Sequence, residues 1–332
     1  PGRSLGGRYA EAAGHAGLRA AIARHAGIAR SVRAGEEDVL VTSGAQQALD
    51  LAARVLLAPG TCVAVEEPGY PPARAVFESY GARVVPVRVD AEGLDVEALP
   101  SNARLVYVTP SHQFPLGTAM SLPRRLALLA WAERHGAALV EDDYDSEFRF
   151  DGRPLEPLQN LDRAGRVIYV GTFSKVLLPT LRVGFLVAPA SLFPALAAAK
   201  AMADWHVPPE TQAALQRLVD DGLLARHVKR ALRVYRERRE RLLDSLERRL
   251  GGAFQVLASS AGLHIATFLS DRRLDASALA RRARAANVGV QALAPFYAAA
   301  PRAGLALGVG SITASRIDEG IRRLAACVGT RR

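Results

Sequence analysis

Lysine is almost missing from this 332-residue chain: of its 43 lysine and arginine residues, only Lys175, Lys200 and Lys229 are lysines. Cysteine is as scarce. Cys62 and Cys327 stand far apart in apolar settings, which argues against a disulfide framework and for a reducing, cytoplasmic setting. No apolar run reaches the roughly 18 residues of a membrane span. The Ala-rich stretch 192–203 is interrupted by Pro194 and Lys200 and followed by Asp204, so no membrane association is expected. The opening PGRSLGGRYA has neither a Met nor a signal-peptide apolar region, and the chain is expected to be part of something longer. Internal repeats, low-complexity linkers and an expected metal site are also missing.

What is present is length enough for one large domain or two lobes, with a net charge of +10. That charge invites a nucleic-acid reading, but an arginine-rich composition accounts for it more simply. The densest basic stretch, Arg226 to Arg249, interleaves Glu237, Glu240 and Glu247, as a solvated helix face does.

Short apolar runs alternate with helical patterns through the first two thirds. Strands are predicted at 39–42, 62–66, 83–87, 105–108, 138–140, 167–170 and 183–187. Helices are predicted at 17–26, from Ser43 to about Leu56, through Val76 and Tyr80, and over 123–135. This alternation predicts an α/β fold with a parallel or mostly parallel sheet covered on both faces. Such sheets bind ligands beyond the carboxyl ends of their strands. Ser43 to Gln46, Tyr70, His112, Asp142 and Lys175 each follow a strand-like run, so they are expected on one sheet edge. From Pro208 the pattern changes to nearly continuous helix over 211–250, broken near Gly222. A small α/β lobe follows, with strands at 264–269, 288–291 and 305–309 and helices at 276–286 and 317–328. The expected organisation is residues 1–36 packing with the small lobe, 37–207 as the large domain, and 208–332 as interdomain helix and small domain.

Among the lysines, Lys200 and Lys229 read as surface cations in Ala- or Arg-rich helical stretches. Lys175 sits at a turn in Gly171-Thr172-Phe173-Ser174-Lys175 between two strands. A primary amine forms an imine with an aldehyde, which an ever-protonated guanidinium does not usefully do. If the aldehyde is pyridoxal 5′-phosphate, its partners can be named. Its phosphate needs backbone N–H groups at a helix start, hydroxyls and a cation: Gly44-Ala45-Gln46, Thr172, Ser174 and Arg182 suit. Its ring nitrogen needs a carboxylate, for which Asp142 is placed. Its phenolic oxygen needs a donor, Tyr144, and its ring an aromatic lid, Tyr70.

The stretches VTSGAQQALDL (41–51), EEPGYPPAR (66–74), TPSHQFPLGTAM (109–120), EDDYDSEFRF (141–150) and GTFSKVLLPTLRVGF (171–185) resemble the fold-type I, aspartate-aminotransferase-like family of pyridoxal-phosphate proteins. More narrowly they resemble the effector domain of MocR-type regulators, a branch of the GntR transcription factors. The resemblance implies a large domain with a mostly parallel sheet and a smaller C-terminal α/β domain. It also implies an internal aldimine at Lys175, the ring-nitrogen carboxylate at Asp142, a phenolic-oxygen partner at Tyr144, phosphate contacts from Gly44 to Gln46, Ser174 and Arg182, and stacking by Tyr70; Ser43 and Thr172 are expected in the cofactor site beside them. A homodimer is implied as well, with DNA read by a winged helix-turn-helix outside this chain.

Two departures shape the functional expectation. Where aminotransferases carry Asn-Pro-x-Gly, this chain has Phe114-Pro115-Leu116-Gly117, which leaves His112 or Gln113 to stand in for the asparagine. The late strand that carries a substrate-carboxylate arginine in aminotransferases reads Leu305-Ala306-Leu307-Gly308 here, with Arg302 nearby. The expectation is therefore a sensor that responds to the cofactor, or to an amine or amino-acid effector. The alternative is a working aminotransferase in which Lys175 also moves a proton.

Overall fold

The computed structural model describes residues 9–152, 155–271, 273–299 and 301–329. In chain order it builds α1 (Ala16–Arg30), β1 (Val39–Thr42), α2 (Ala45–Leu56), β2 (Cys62–Glu67), α3 (Pro71–Ser79), β3 (Arg83–Asp90) and β4 (Gly93–Leu94). Next come β5 (Ala103–Val108), α4 (Leu122–His135), β6 (Ala138–Asp143), α5 (Leu158–Leu161), β7 (Val167–Thr172), β8 (Gly184–Val187) and α6 (Phe193–Asp204). Two helices, α7 (Pro209–Asp220) and α8 (Leu223–Leu250), lead to the second lobe. That lobe holds β9 (Phe254–Val256), β10 (His264–Leu269), α9 (Ala276–Ala285), β11 (Gln291–Ala292), β12 (Gly304–Gly308) and α10 (Ala314–Gly329).

The large sheet has eight strands in the order β1-β8-β7-β6-β5-β2-β3-β4. From β7 to β3 the neighbours are parallel, whereas β8 runs against both β7 and β1. Both faces are covered, as the continuous apolar strands require. Along β7 the side chains alternate: Ile168 and Val170 join Leu49, Leu51 and Phe77 under α2 and α3, while Val167 faces Leu128 and Trp131 of α4. Helix α4 is bounded by ordinary signals, a Ser121 hydroxyl that accepts the Arg124 N–H at 3.3 Å and a left-handed Gly136. The small sheet, β11-β12-β10-β9, is antiparallel throughout and is covered by α9, α10 and the second half of α8.

Helix α1 packs on the large sheet, with Leu18, Ile22 and Ala26 among Val39, Val41, Tyr169 and Phe185, and also on α7 and α8 through Leu215 and Leu224; residues 1–8 lie outside the described residues. An apolar stripe takes the largest uncovered apolar surface within reach, and here that was the sheet edge at β1. Two expectations change elsewhere. The strand expected at 288–291 pairs only at Gln291 and Ala292, because Gly289 leaves little to pack there. Lys200 is not a surface cation: it is fully buried and ion-paired to Asp204.

Candidate cofactor site

A cavity of about 760 Å³ opens between the two lobes, at the carboxyl ends of the parallel strands. Its floor is the acidic run that ends β6. Glu141 accepts the Leu158 and Gln159 N–H groups, both at 2.9 Å. Asp143 accepts the Tyr169 hydroxyl at 2.7 Å and the Ser146 hydroxyl at 2.7 Å. Glu147 pairs with Arg30. Asp142 differs from these in forming part of the cavity wall. Its Oδ2 accepts the Tyr107 hydroxyl at 2.8 Å, while its buried Oδ1 has no partner, as is also true of Glu147 Oε2 away from the cavity. Burial pushes its carboxyl up to about 6, against the opposing hydrogen bond from Tyr107. A buried carboxylate oxygen without a donor calls for a cationic N–H.

Behind this floor sits Glu66 at the end of β2. Its Oε2 accepts from the Thr109 N–H (3.1 Å), the Thr109 hydroxyl (2.6 Å) and the Gln113 amide (3.3 Å). Burial outweighs these bonds and pushes the Glu66 carboxyl up to about 7. Gln113 is thereby spent: its amide also donates to the Pro68 and Phe114 carbonyls, and its oxygen accepts the Leu116 N–H. It does not reach the cavity.

His112 does not line the cavity either. Its Nδ1 lies 2.9 Å from the Tyr144 hydroxyl and 3.1 Å from Asp145 Oδ1. Tyr144, which does line the cavity, also donates to the His112 carbonyl at 2.9 Å. Burial and the neighbouring carboxylates hold the Tyr144 phenol far above its ordinary range, so it keeps its proton. Of the two candidates to replace the asparagine, His112 acts only through Tyr144. The side chain that fills the space is Phe114, edge-on to Tyr70 (5.5 Å between centroids), Tyr144 (6.0 Å), His264 (5.7 Å) and Phe296 (5.0 Å). His112, Asp145 and His264 bring ligand-type atoms within 4.8 Å of one another, a grouping that spacing along the chain does not foretell. His112 Nδ1 and the Asp145 oxygens are already engaged in hydrogen bonds.

The opposite end of the cavity is an anion cradle. Helix α2 starts at Ala45, and Ala45 and Gln46 line the wall. Gly44 has φ +83°, and a Cβ there would lie 2.9 Å from Arg182 Nη2; only glycine allows the guanidinium so near the helix start. Arg182 donates to the Ser43 carbonyl at 3.0 Å. Ser43 itself turns outward to Asp204, at 3.1 Å. Thr172, Ser174 and Lys175 complete this end, with the Ser174 N–H donating to Thr172 Oγ1 at 3.1 Å. Tyr70 lies between, near enough for both Asp142 and Arg182 to act on its phenol.

The small lobe supplies the remaining wall: Leu263 and His264 at the start of β10, Ala306 and Gly308 of β12, Gln291, and Arg284 from α9. Arg284 is exposed at the rim. Arg302 is turned away, its guanidinium over the Phe268 ring at 3.6 Å and bonded to Gln255. Sequence reasoning missed Tyr107, Phe114, Asp145, His264 and Arg284. Tyr107 sits inside a strand and was legible only as core.

These residues fit pyridoxal 5′-phosphate. The open Asp142 oxygen suits a protonated ring nitrogen, the Gly44 cradle a phosphate, and Lys175 an aldehyde carbon. Comparisons with known proteins point the same way. A family model described as aminotransferase class I and II matches residues 5–324. The chain is 40% identical over 314 residues to the probable rhizopine catabolism regulatory protein MocR of Rhizobium meliloti, covering 94% of this chain but only 63% of that regulator's length. Among solved structures, a kynurenine aminotransferase from Pyrococcus horikoshii superposes with a TM-score of 0.89 at 32% identity, covering 97% of this chain and 82% of that one. The α-aminoadipate aminotransferase LysN of Thermus thermophilus, complexed with N-(5′-phosphopyridoxyl)-L-leucine, gives 0.88 at 35%, covering 97% and 83%.

Proposed function

The chain belongs to the class I and II aminotransferase family, and on that premise we propose that it is the cofactor-binding effector domain of a MocR-type transcriptional regulator. The observation that carries this reading is the mismatch between the two walls of one cavity. The cofactor side has its full set of groups, whereas β12 offers Ala306 and Gly308 where a catalyst of α-amino acids needs a buried cation for the carboxylate.

When bound, the cofactor supplies a carbonyl carbon that captures amines and a ring that withdraws electrons. The chain's own residues do the rest. Lys175, at the cavity wall, would be the residue that holds the cofactor, through its primary amine. Asp142, as carboxylate, keeps a proton on the ring nitrogen, helped by the Tyr107 hydroxyl that orients it. Tyr144, un-ionised, would turn its one O–H from the His112 carbonyl to the phenolic oxygen. The first N–H groups of α2, with Ser174 and Arg182, take the phosphate, and Tyr70 and Phe114 keep water from the ring.

An amine or amino-acid effector bound in the cavity would change what fills the space between the lobes, and this would bias their relative seating. In the whole protein such a shift would be read by a DNA-binding segment. A homodimer fits the exposed Leu178, Met202 and Trp205 and the apolar groove at Leu177, Leu181 and Leu218; a cytoplasmic location fits a chain with only two cysteines, Cys62 and Cys327, far apart in the sequence. Incubation with pyridoxal 5′-phosphate should give one tightly held cofactor per chain, and a broad amino-acid panel should give single-turnover spectral changes without sustained keto-acid production. Rapid multiple turnover would instead establish the second reading, an aminotransferase, which the exposed Lys175 and the rim guanidinium of Arg284 favour.

A further inference from the structure

The Tyr144 phenol touches the ligand cavity and a buried pair, His112 and Asp145, of which Asp145 also reaches the cavity wall. That pair sits where the lobes meet. Asp145 Oδ2 accepts the Leu263 N–H from the small lobe at 3.2 Å, and both Asp145 oxygens lie within 3.2 Å of His112 Nδ1. His264, next along the small-lobe strand, reaches back to the Pro115 carbonyl at 2.9 Å and lies 4.9 Å from the His112 ring. Gly262, with φ +88°, presses its backbone on the imidazole so closely that any Cβ would collide with His112 Cε1. Its own N–H is tied to the Phe148 carbonyl of the large lobe at 2.9 Å.

Within this cluster His112 Nε2 is buried without a partner. A buried N–H without an acceptor is costly, whereas a bare lone pair is less so. The proton therefore sits on Nδ1, pointing at Asp145 and leaning on the Tyr144 oxygen. The ring has no role of its own in the cavity, and a purely structural filler would not need a carboxylate that the other lobe also holds.

We propose that His112 and Asp145 are positioning residues that tie the Tyr144 phenol to the seating of the small lobe on the large one. If the small lobe shifts, the Leu263 contact to Asp145 and the Gly262 contact to the His112 ring change together, and the phenol's donor strength changes with them. The proposal rests on the reading of the cavity as a pyridoxal-phosphate site and assigns the path by which that site feels lobe position. The titratable groups facing the cluster are Asp142, Asp143 and Asp145 from β6 and its loop, Glu66 from β2, His264 from β10, and Lys175.

The test is the absorbance–pH titration of the cofactor-loaded chain. A phenol donor stabilises an anionic oxygen set against it, so weakening Tyr144 raises the proton affinity of the bound chromophore. His112→Phe should move the midpoint up by about one pH unit, a tenfold change. Gly262→Ala, in the other lobe, should move it in the same direction. In a His112→Ala background, with no ring to collide with, Gly262→Ala should add only the smaller shift that its left-handed backbone costs. Equal Gly262→Ala shifts in both backgrounds, or none in either, overturn the relay while leaving cofactor binding intact. Failure of the wild-type chain to bind the cofactor overturns the underlying reading and the relay with it. Should the variants not fold, nitrogen NMR of the cofactor-free wild type decides: a His112 tautomer protonated on Nδ1 supports the relay, and one protonated on Nε2 overturns it.

Discussion

The large-lobe wall of the cavity is crowded with buried ionisable groups held by named partners, whereas the small-lobe wall is made of Leu263, His264, Gln291, Ala306, Gly308 and a guanidinium at the solvent edge. On the first wall each carboxylate of the β6 run is tied to a helix start, a hydroxyl, an arginine or a histidine, and Asp142 keeps one open oxygen. Such a wall is set up in advance for one ligand and gives its groups little freedom. The second wall is shaped but nearly uncharged, so it selects its ligand weakly and can admit or reject by fit. On the proposed reading, holding a cofactor and gripping a substrate carboxylate are separable here, because the groups on the large-lobe wall serve the first and the second would need a cation that β12 does not bring.

The largest effect on this contrast should come from Lys175→Ala. It removes the covalent hold altogether, and mass spectrometry after borohydride treatment should find no retained cofactor. Lys175→Arg should behave alike, since the guanidinium keeps the charge but not the nucleophile. The converse experiment puts the missing cation on the small-lobe wall. Ala306→Arg should strengthen the spectral response to α-amino acids by about tenfold, the scale of one charge-assisted pair, and should bring sustained keto-acid production closer. If titration with amino acids shows no gain, the bareness of β12 is not what limits turnover.

A smaller effect concerns the cost of the crowded wall. Burial pushes Glu66 up to about 7 and Asp142 up to about 6, both above ordinary carboxylates. The folded chain therefore holds these protons more tightly than the unfolded chain does. The stability they contribute is complete below about pH 4 and is lost as pH rises towards about 7. Glu66→Gln mimics the protonated form, so in the cofactor-free chain it should melt about 2 °C or more above wild type near pH 8, and the gap should close toward pH 5. An unchanged or widening gap on acidification would show that Glu66 is not held above the carboxylate range. The smallest effect should come from Arg284→Ala. An exposed rim cation adds on the order of twofold to the binding of anionic ligands, and added salt should erase the difference.

Much of the large-lobe wall was legible in the chain because its groups follow strand ends, and strand ends of a parallel sheet share one edge. Asp142, Tyr144, Lys175, Ala45, Gln46, Tyr70, Thr172, Ser174 and Arg182 all line the cavity. His112 and Gln113 also follow a strand, yet they turn inward to Tyr144 and Glu66; strand periodicity places a Cα and does not aim a loop side chain. Lys200 was misread for the opposite reason. It stands in a helix of small apolar residues, and the pattern could not show that Asp204, one turn on, would be bonded to Ser43 and Gln47 and draw the lysine under the sheet edge.

By itself, the sequence determined the alternation of strands and helices, the single lysine at a turn between strands, the acidic run beside it and the bare late strand. These follow from local pattern and residue chemistry. Only the tertiary structure decided which of five neighbouring carboxylates lines the cavity with an oxygen left open, that Phe114 and not a polar group fills the asparagine's place, and that Arg302 faces away while Arg284 reaches the rim. It also decided that α1 covers the large sheet. These outcomes depend on which surfaces meet across long stretches of chain, where burial and hydrogen-bond satisfaction, rather than spacing, select the partner.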